Sequence, residues 1–219
     1  MISPGGLGSM IRILIADDHA VVREGLRQII TKQTDMSVGG EAANGAEVLG
    51  KIKEAAYDVV LLDLSMPGRG GLEILGDIKR ENPDSRVLIL SVHSESLYAV
   101  RALKAGAAGY LTKESAPEQL VEAIRKVSHG GKYISPSVAE RLANELGGDS
   151  DRPPHEKLSD REYQVLCMLG SGKTVKEIAE ELSLSVPSIS TYRARILEKM
   201  NMKNNAELAH YAIRNGLVD

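Results

Sequence analysis

The chain has 219 residues, 42% hydrophobic and 26% charged, which suits one large or two modest globular domains and excludes a disordered polymer. Its apolar runs are only a few residues long, too short to span a bilayer, and no basic leader with an apolar core opens it. Residues 1–151 hold 17 Lys and Arg against 21 Asp and Glu, a net of −4, while residues 152–219 hold 10 against 9, a net of +1, so whole-domain charge identifies no partner. The single Cys167 closes no internal disulfide, and the expected compartment is a reducing cytoplasm.

In chain order, residues 1–9 read as a cloning scar ending in Gly-Ser before Met10, the expected natural start. From Ile11 onward, short apolar runs alternate with amphipathic stretches. The runs are IRILIA (11–16), MSVGGE (36–41), VVLLD (59–63), RVLILS (86–91) and GYLT (109–112). Helix-like segments lie near 19–32, 45–56, 71–81, 96–105 and 116–129. Five βα units in about 120 residues predict an α/β, flavodoxin-like (βα)5 parallel sheet with helices on both faces. Ser135 and Pro136 then open another helix as N-cap and first helical residue. GGDSDRPPHEK (147–157) concentrates Gly, Pro and Asp and reads as a linker.

The third run, VVLLD, is solidly apolar yet ends on a carboxylate, Asp63, just before a break at Pro67-Gly68. The last residue of a central parallel strand faces the crevice where open α/β sheets bind ligands. Asp17 and Asp18 end the first run, and in a doubly wound sheet those two strands are neighbours, so three carboxylates converge. Such a cluster repels itself unless a cation neutralises it, and oxygen donors with room for water and phosphate suit Mg²⁺ better than Zn²⁺. Strand four ends in Ser91, a hydroxyl, and strand five is followed by Lys113, a cation. A phosphoryl group on Asp63, formed with Asp63 as nucleophile, would meet all of these partners.

ILIADDHAVVREGL, VVLLDLSMPGRGGLEIL, VLILSVH and AGAAGYLTKE together resemble the receiver domain of bacterial two-component response regulators, over roughly residues 11–130. The resemblance implies Mg²⁺ held by Asp17, Asp18, Asp63 and the backbone carbonyl of Ser65. It implies phosphorylation of Asp63 by a sensor histidine kinase and a switch aromatic at Tyr110. One departure is Glu114 after Lys113, where many receivers carry proline. Ser65 and His93 are expected to tune loss of the phosphoryl group.

Residues 158–219 show only helical periodicity, which predicts an all-α four-helix unit. Ser159 to Glu162 and Thr174 to Glu177 have the form of capping boxes, Ser185 and Asn204 are further N-caps, and Gly216 closes the last helix. KTVKEIAEELSLSVPSISTYRARILEKM pairs two helices about the turn LSLS (182–185), the layout of a helix-turn-helix. From Ser185 to Lys203 the net charge is +3, a local basic stripe. This half resembles the LuxR-type helix-turn-helix of the NarL/FixJ subfamily. That resemblance implies recognition by residues 185–200, with Ser188, Ser190, Thr191, Tyr192, Arg193, Arg195 and Lys199 near DNA. Lys173, Thr174 and Lys176 would meet phosphates from the preceding helix. Ser190 and Ala194 stand where relatives often carry basic residues, so base preference does not carry over.

Other chemistry fails on spacing. GSGKT (170–174) lacks the P-loop's first glycine, where Cys167 stands, and follows a helix rather than a strand. The five histidines show no metal-ligand spacing. The expected domains are a receiver at 10–130, a helix and linker at 131–157 and a DNA-binding domain at 158–219. The expected function is a regulator, not an enzyme, that is phosphorylated on Asp63, dimerises and binds double-stranded promoter DNA, with no membrane partner. An orphan DNA-binding regulator without phosphorylation stays open, as does an aspartyl-nucleophile phosphatase. The latter usually places a second Asp where this chain has Ser65.

Overall fold

The computed structural model describes residues 10–66, 70–92, 95–115, 117–147 and 153–218. The expected scar at 1–9, the break at Pro67-Gly68, His93 and residues 148–152 of the expected linker lie outside that set. Five parallel strands, β1 (Ile11–Ala16), β2 (Met36–Ala42), β3 (Val59–Asp63), β4 (Val87–Ser91) and β5 (Gly109–Thr112), form one sheet in the order β2-β1-β3-β4-β5. Between and after them run α1 (Ala20–Thr31), α2 (Gly45–Glu54), α3 (Gly71–Glu81), α4 (Glu95–Lys104) and α5 (Pro117–Ser128). The flavodoxin-like order expected from the alternation is the one observed.

The two-residue side-chain period sorts each strand between two layers of core. Leu14, Val60, Leu62, Ile89 and Tyr110 pack toward the face that carries Val48, Ile74 and Ile78 of α2 and α3. Ile13, Ile15, Leu61, Leu88 and Leu90 pack toward the other, against Leu26 and Ile30 of α1 and Ile124 and Val127 of α5. Both faces of β3 and β4 are therefore covered, which is why their sequences are unbroken aliphatic runs. Fully burying each such side chain stabilises the fold by roughly 1.5–3 kcal/mol. The β3–α3 connection is held close: a Cβ on Gly71 would lie 2.4 Å from the Leu64 Cα, so only glycine fits there.

The remaining described chain is helical: α6 (Pro136–Gly147), a 3-10 turn at Pro154–Lys157, then α7 (Asp160–Gly170), α8 (Val175–Glu181), α9 (Val186–Met200) and α10 (Asn205–Arg214). Both expected capping boxes form. Ser159 and Glu162 exchange bonds at the start of α7, and Thr174 and Glu177 do so at the start of α8. Ser185 and Asn204 cap α9 and α10, and Gly216 takes a positive φ after α10. No described helix is long and apolar enough to cross a membrane.

Two features depart from the sequence expectation. The stretch read as a linker contains the 3-10 turn, favoured because prolines 153 and 154 preset φ and because the His155 carbonyl accepts a bond from Arg101 of α4. The helical half also shares a core with the sheet-bearing half: Tyr98 of α4 meets Tyr163 of α7 edge to face, centroids 5.6 Å apart.

The turn between α8 and α9 contains Ser183 at φ +51°, in the left-handed region. Ser183→Gly is expected to raise unfolding stability by about 0.5–1 kcal/mol, since glycine enters that region without steric cost. Chemical denaturation of the two proteins checks it.

Candidate functional site

The carboxyl ends of β1 and β3 bring Asp17, Asp18 and Asp63 together, as their adjacency in the sheet requires. Asp17 and Asp63 are buried, and Asp18 is partly open to solvent. Lys113, one residue past β5, reaches across: its Nζ lies 2.6 Å from Asp17 Oδ2 and 2.8 Å from Asp63 Oδ2. The other Asp63 oxygen accepts the Ser65 backbone N–H at 3.0 Å. Ser91 closes β4 at the same end of the sheet, fully buried, and its carbonyl accepts the Lys113 N–H at 2.7 Å. Tyr110 sits buried on β5.

Burial pushes the Asp63 carboxyl above the usual carboxylate range, against the pull of Lys113. Burial alone would lower the Lys113 ammonium, but bonds to Asp17 and Asp63 outweigh it and leave Lys113 raised, a firmly held cation. Three carboxylates against one ammonium leave a net charge of about −2 when all are ionised. Oxygens of Asp17, Asp18 and Asp63 lie within 4.8 Å of one another. An all-oxygen donor set of that charge fits a hard divalent cation such as Mg²⁺.

One member of the cluster was missed in sequence. His19 Nδ1 lies 2.8 Å from Asp18 Oδ1 and 3.4 Å from Asp17 Oδ1, beside the carboxylates. Its backbone N–H also donates to Asp17 Oδ1 at 2.8 Å, so the residue orients an acidic side chain as well as bordering it. Its position directly after the Asp pair was the available signal, but histidine spacing alone does not report it.

The second candidate surface lies on α8 and α9. Thr174 caps α8, Lys176 is exposed beside it, and Lys173 pairs with Glu181 at 2.5 Å. On α9, Ile189, Ile196 and Met200 face the core and Tyr192 packs against it. Ser188 bonds Ser185 at 2.8 Å within the cap. Arg193 Nε donates to Asn205 Oδ1 at 2.5 Å, and Lys199 donates to Glu162 Oε2 at 2.6 Å. Ser190, Thr191, Ala194, Arg195 and Lys199 are exposed. The expected recognition helix lies at the surface, and its polar residues divide between solvent and partners inside the protein.

The halves meet through Arg101 of α4. Its guanidinium donates to the carbonyls of His155 (2.7 Å) and Leu158 (3.2 Å) and to Asp160 Oδ1 (3.1 Å), and lies 4.0 Å from the Tyr163 ring centroid. Beside it, burial raises the Tyr98 phenol well above its ordinary range, with Cys167, Tyr163 and Tyr110 close by. Burial likewise pushes the Cys167 thiol up to about 11.

The bacterial response regulator receiver domain pattern matches residues 13–125, and the pattern of bacterial regulatory proteins of the luxR family matches residues 156–212. The chain is 41% identical to the response regulator UvrY of Escherichia coli strain K12 over 209 residues, covering 95% of this chain and 96% of UvrY. It is 41% identical to the response regulator GacA of Pseudomonas viridiflava over 211 residues, covering 96% and 99% of the two chains. Among solved structures it resembles RcsB from Salmonella enterica serovar Typhimurium bound to promoter P1flhDC with the phosphomimetic BeF3⁻. That match has 26% identity and a TM-score of 0.62, covering 93% of this chain and 98% of that one.

Proposed function

The chain belongs to the NarL/FixJ response regulators, two-component DNA-binding transcriptional regulators, and from that premise we propose that Asp63 is the phosphoacceptor and that its modification favours a homodimer on promoter DNA. The division proposed is a receiver at 10–130, a connecting helix and linker at 131–157, and a DNA-binding domain at 158–219. The observation that carries the reading is the Lys113 ammonium bridging Asp17 and Asp63 at 2.6 and 2.8 Å at the carboxyl end of the sheet.

In this reading a carboxylate oxygen of Asp63 attacks the phosphorus of a kinase phosphohistidine or of a small acyl phosphate. The new O–P bond forms as the donor's N–P or O–P bond breaks, and the donor leaves with the electron pair. Mg²⁺, held by Asp17, Asp18, Asp63 and the Ser65 carbonyl, would neutralise charge on the transferring group. Lys113, whose Nζ lies 2.8 Å from Asp63 Oδ2, would pair with a phosphoryl oxygen on Asp63. Ser91 supplies a hydroxyl at the neighbouring strand end, and movement of Ser91 accompanied by Tyr110 carries the change to the α4–β5 surface. Ser65, two residues past Asp63, offers no carboxyl for general acid chemistry, which favours a stoichiometric regulator over a phosphatase.

Residues 185–200 then enter a major groove, with Lys176 and the α8 N-terminus on phosphates and dimer symmetry setting half-site spacing. A solved RcsB structure, bound to a promoter in the presence of the phosphomimetic BeF3⁻, supports this reading. The test is intact-protein mass after incubation with acetyl phosphate and Mg²⁺. Wild type should gain one phosphoryl group and Asp63→Asn none; no gain in wild type would leave the orphan DNA-binding regulator as the better reading.

A further inference from the structure

The outward stripe of α9 is narrower in chemistry than its sequence suggests. Of its cations, Arg193 is spent on Asn205 at 2.5 Å and Lys199 on the buried Glu162 at 2.6 Å, the same carboxylate that closes the α7 capping box. Among the described residues, Arg195 is the exposed cation of α9 that has no hydrogen-bond or ion-pair partner. Ser190 and Thr191 donate their hydroxyl protons backward, to the carbonyls of Val186 and Pro187, each at 3.0 Å. What they offer outward is oxygen lone pairs and, for Thr191, a methyl group. Ala194 adds a second exposed methyl one residue before Arg195. Residues 186–199 contain no Asn or Gln, the side chains that read adenine in two bonds.

We propose that base reading rests on Thr191, Ala194 and Arg195. Arg195 pairs with O6 and N7 of a guanine, and the methyls of Thr191 and Ala194 pack on the C5 methyl of a thymine. Residues four apart on a helix are separated by about 6 Å along its axis, close to two base steps of about 3.4 Å. The guanine and the thymine therefore fall within two base pairs of each other in each half-site. Arg193 reads no base: it ties α9 to the first turn of α10. The inference rests on the DNA-binding reading above and goes beyond it by assigning the chemistry of the operator.

The experiment is enrichment of a random-sequence duplex pool by the full-length protein treated with acetyl phosphate and Mg²⁺, followed by affinity measurement on the enriched duplex. Wild type should enrich a half-site with an invariant guanine within two base pairs of an invariant thymine. Arg195→Ala should enrich the same site with the guanine position randomised, and bind the wild-type site roughly 10- to 100-fold more weakly. Replacing the invariant thymine by deoxyuridine, which lacks the C5 methyl, should weaken wild type several-fold and leave Thr191→Ser less affected. Arg193→Ala should weaken all duplexes alike while enriching an unchanged site. Loss of the guanine preference in Arg193→Ala with retention in Arg195→Ala would overturn the assignment, as would an enriched site without the guanine–thymine pair. A wild-type protein that enriches no sequence, with its fold intact by circular dichroism, would overturn the DNA-binding reading beneath it.

Discussion

Lys113→Met is expected to destabilise the cation-free protein by about 3 kcal/mol at pH 7, and Mg²⁺ is expected to restore part of that loss. The substitution keeps a linear side chain of similar length while removing the one ammonium that lies against both Asp17 and Asp63. Those carboxyl groups are buried, with side-chain exposures of 2% and 0%. Stripping the partner from a buried charge costs about 3–5 kcal/mol, and proton uptake by Asp63, already raised by burial, keeps the cost at the low end. The sign of the pH dependence follows from Asp63, whose folded-state pKa lies above its unfolded value because of burial. Its contribution to stability is present below the ordinary carboxylate value and lost as pH rises through the raised one. Without Lys113 that raised value climbs further, so the deficit of the variant should widen between pH 4 and pH 7 (about 3 units). Urea unfolding midpoints of both proteins, with chelator and with Mg²⁺, read all of this. Equal stability of the two proteins in chelator would show that the three side chains are not energetically coupled.

The legible part of this molecule was whatever depends on period and topology. The aliphatic runs of β3 and β4 are covered on both faces, and nothing but a parallel sheet accommodates them between helices. Once that sheet exists, residues 17, 63, 91 and 113 must share one end of it. The edge strand β2 runs to Ala42, one residue past its expected run. Its register against β1 shifts between Ile13, paired with Val38, and Leu14, paired with Gly40, and a Gly-Gly pair inside a bulge weakens the alternation that marks a strand. Capping boxes were readable because they close within four residues. Side chains that satisfy distant groups left no periodic trace. Arg101 bonds carbonyls and a carboxylate more than fifty positions away, and Lys199 bonds Glu162. In sequence Arg101 looks like an ordinary solvated cation on an amphipathic helix, and Lys199 reads as a DNA contact. Arg193 also reads as a DNA contact, and its bond to Asn205 leaves no periodic trace in the sequence. His19 entered the acidic cluster through the extended backbone before α1, a local geometry that composition does not encode.

Arg101→Ala is expected to separate the two halves of the protein without unfolding either. The guanidinium is 17% exposed and makes three hydrogen bonds, to His155, Leu158 and Asp160, while stacking on Tyr163. A desolvated cation–π contact contributes about 2 kcal/mol, and hydrogen bonds to a charged group about 1.5–3 kcal/mol each before non-additivity. A net loss of about 3 kcal/mol in coupling corresponds to roughly a hundredfold shift toward separated domains. Arg101→Lys is the informative control: it retains the charge but not the fork that reaches two carbonyls and a carboxylate together, so it should fall between wild type and alanine. Because Ser190, Thr191, Ala194 and Arg195 are exposed in the joined form, the contact restrains the orientation of α7 and does not cover those residues. The variant should therefore show a larger radius of gyration by small-angle scattering and faster protease cleavage near Lys157, without any phosphodonor. Tyr98 links this contact to Tyr110 on β5, so acetyl phosphate should move the wild-type scattering toward the variant's and leave the variant's nearly unchanged. Identical scattering and cleavage for wild type and Arg101→Ala would mean that Arg101 does not hold the halves together, and the route from β5 to α7 would have to run elsewhere.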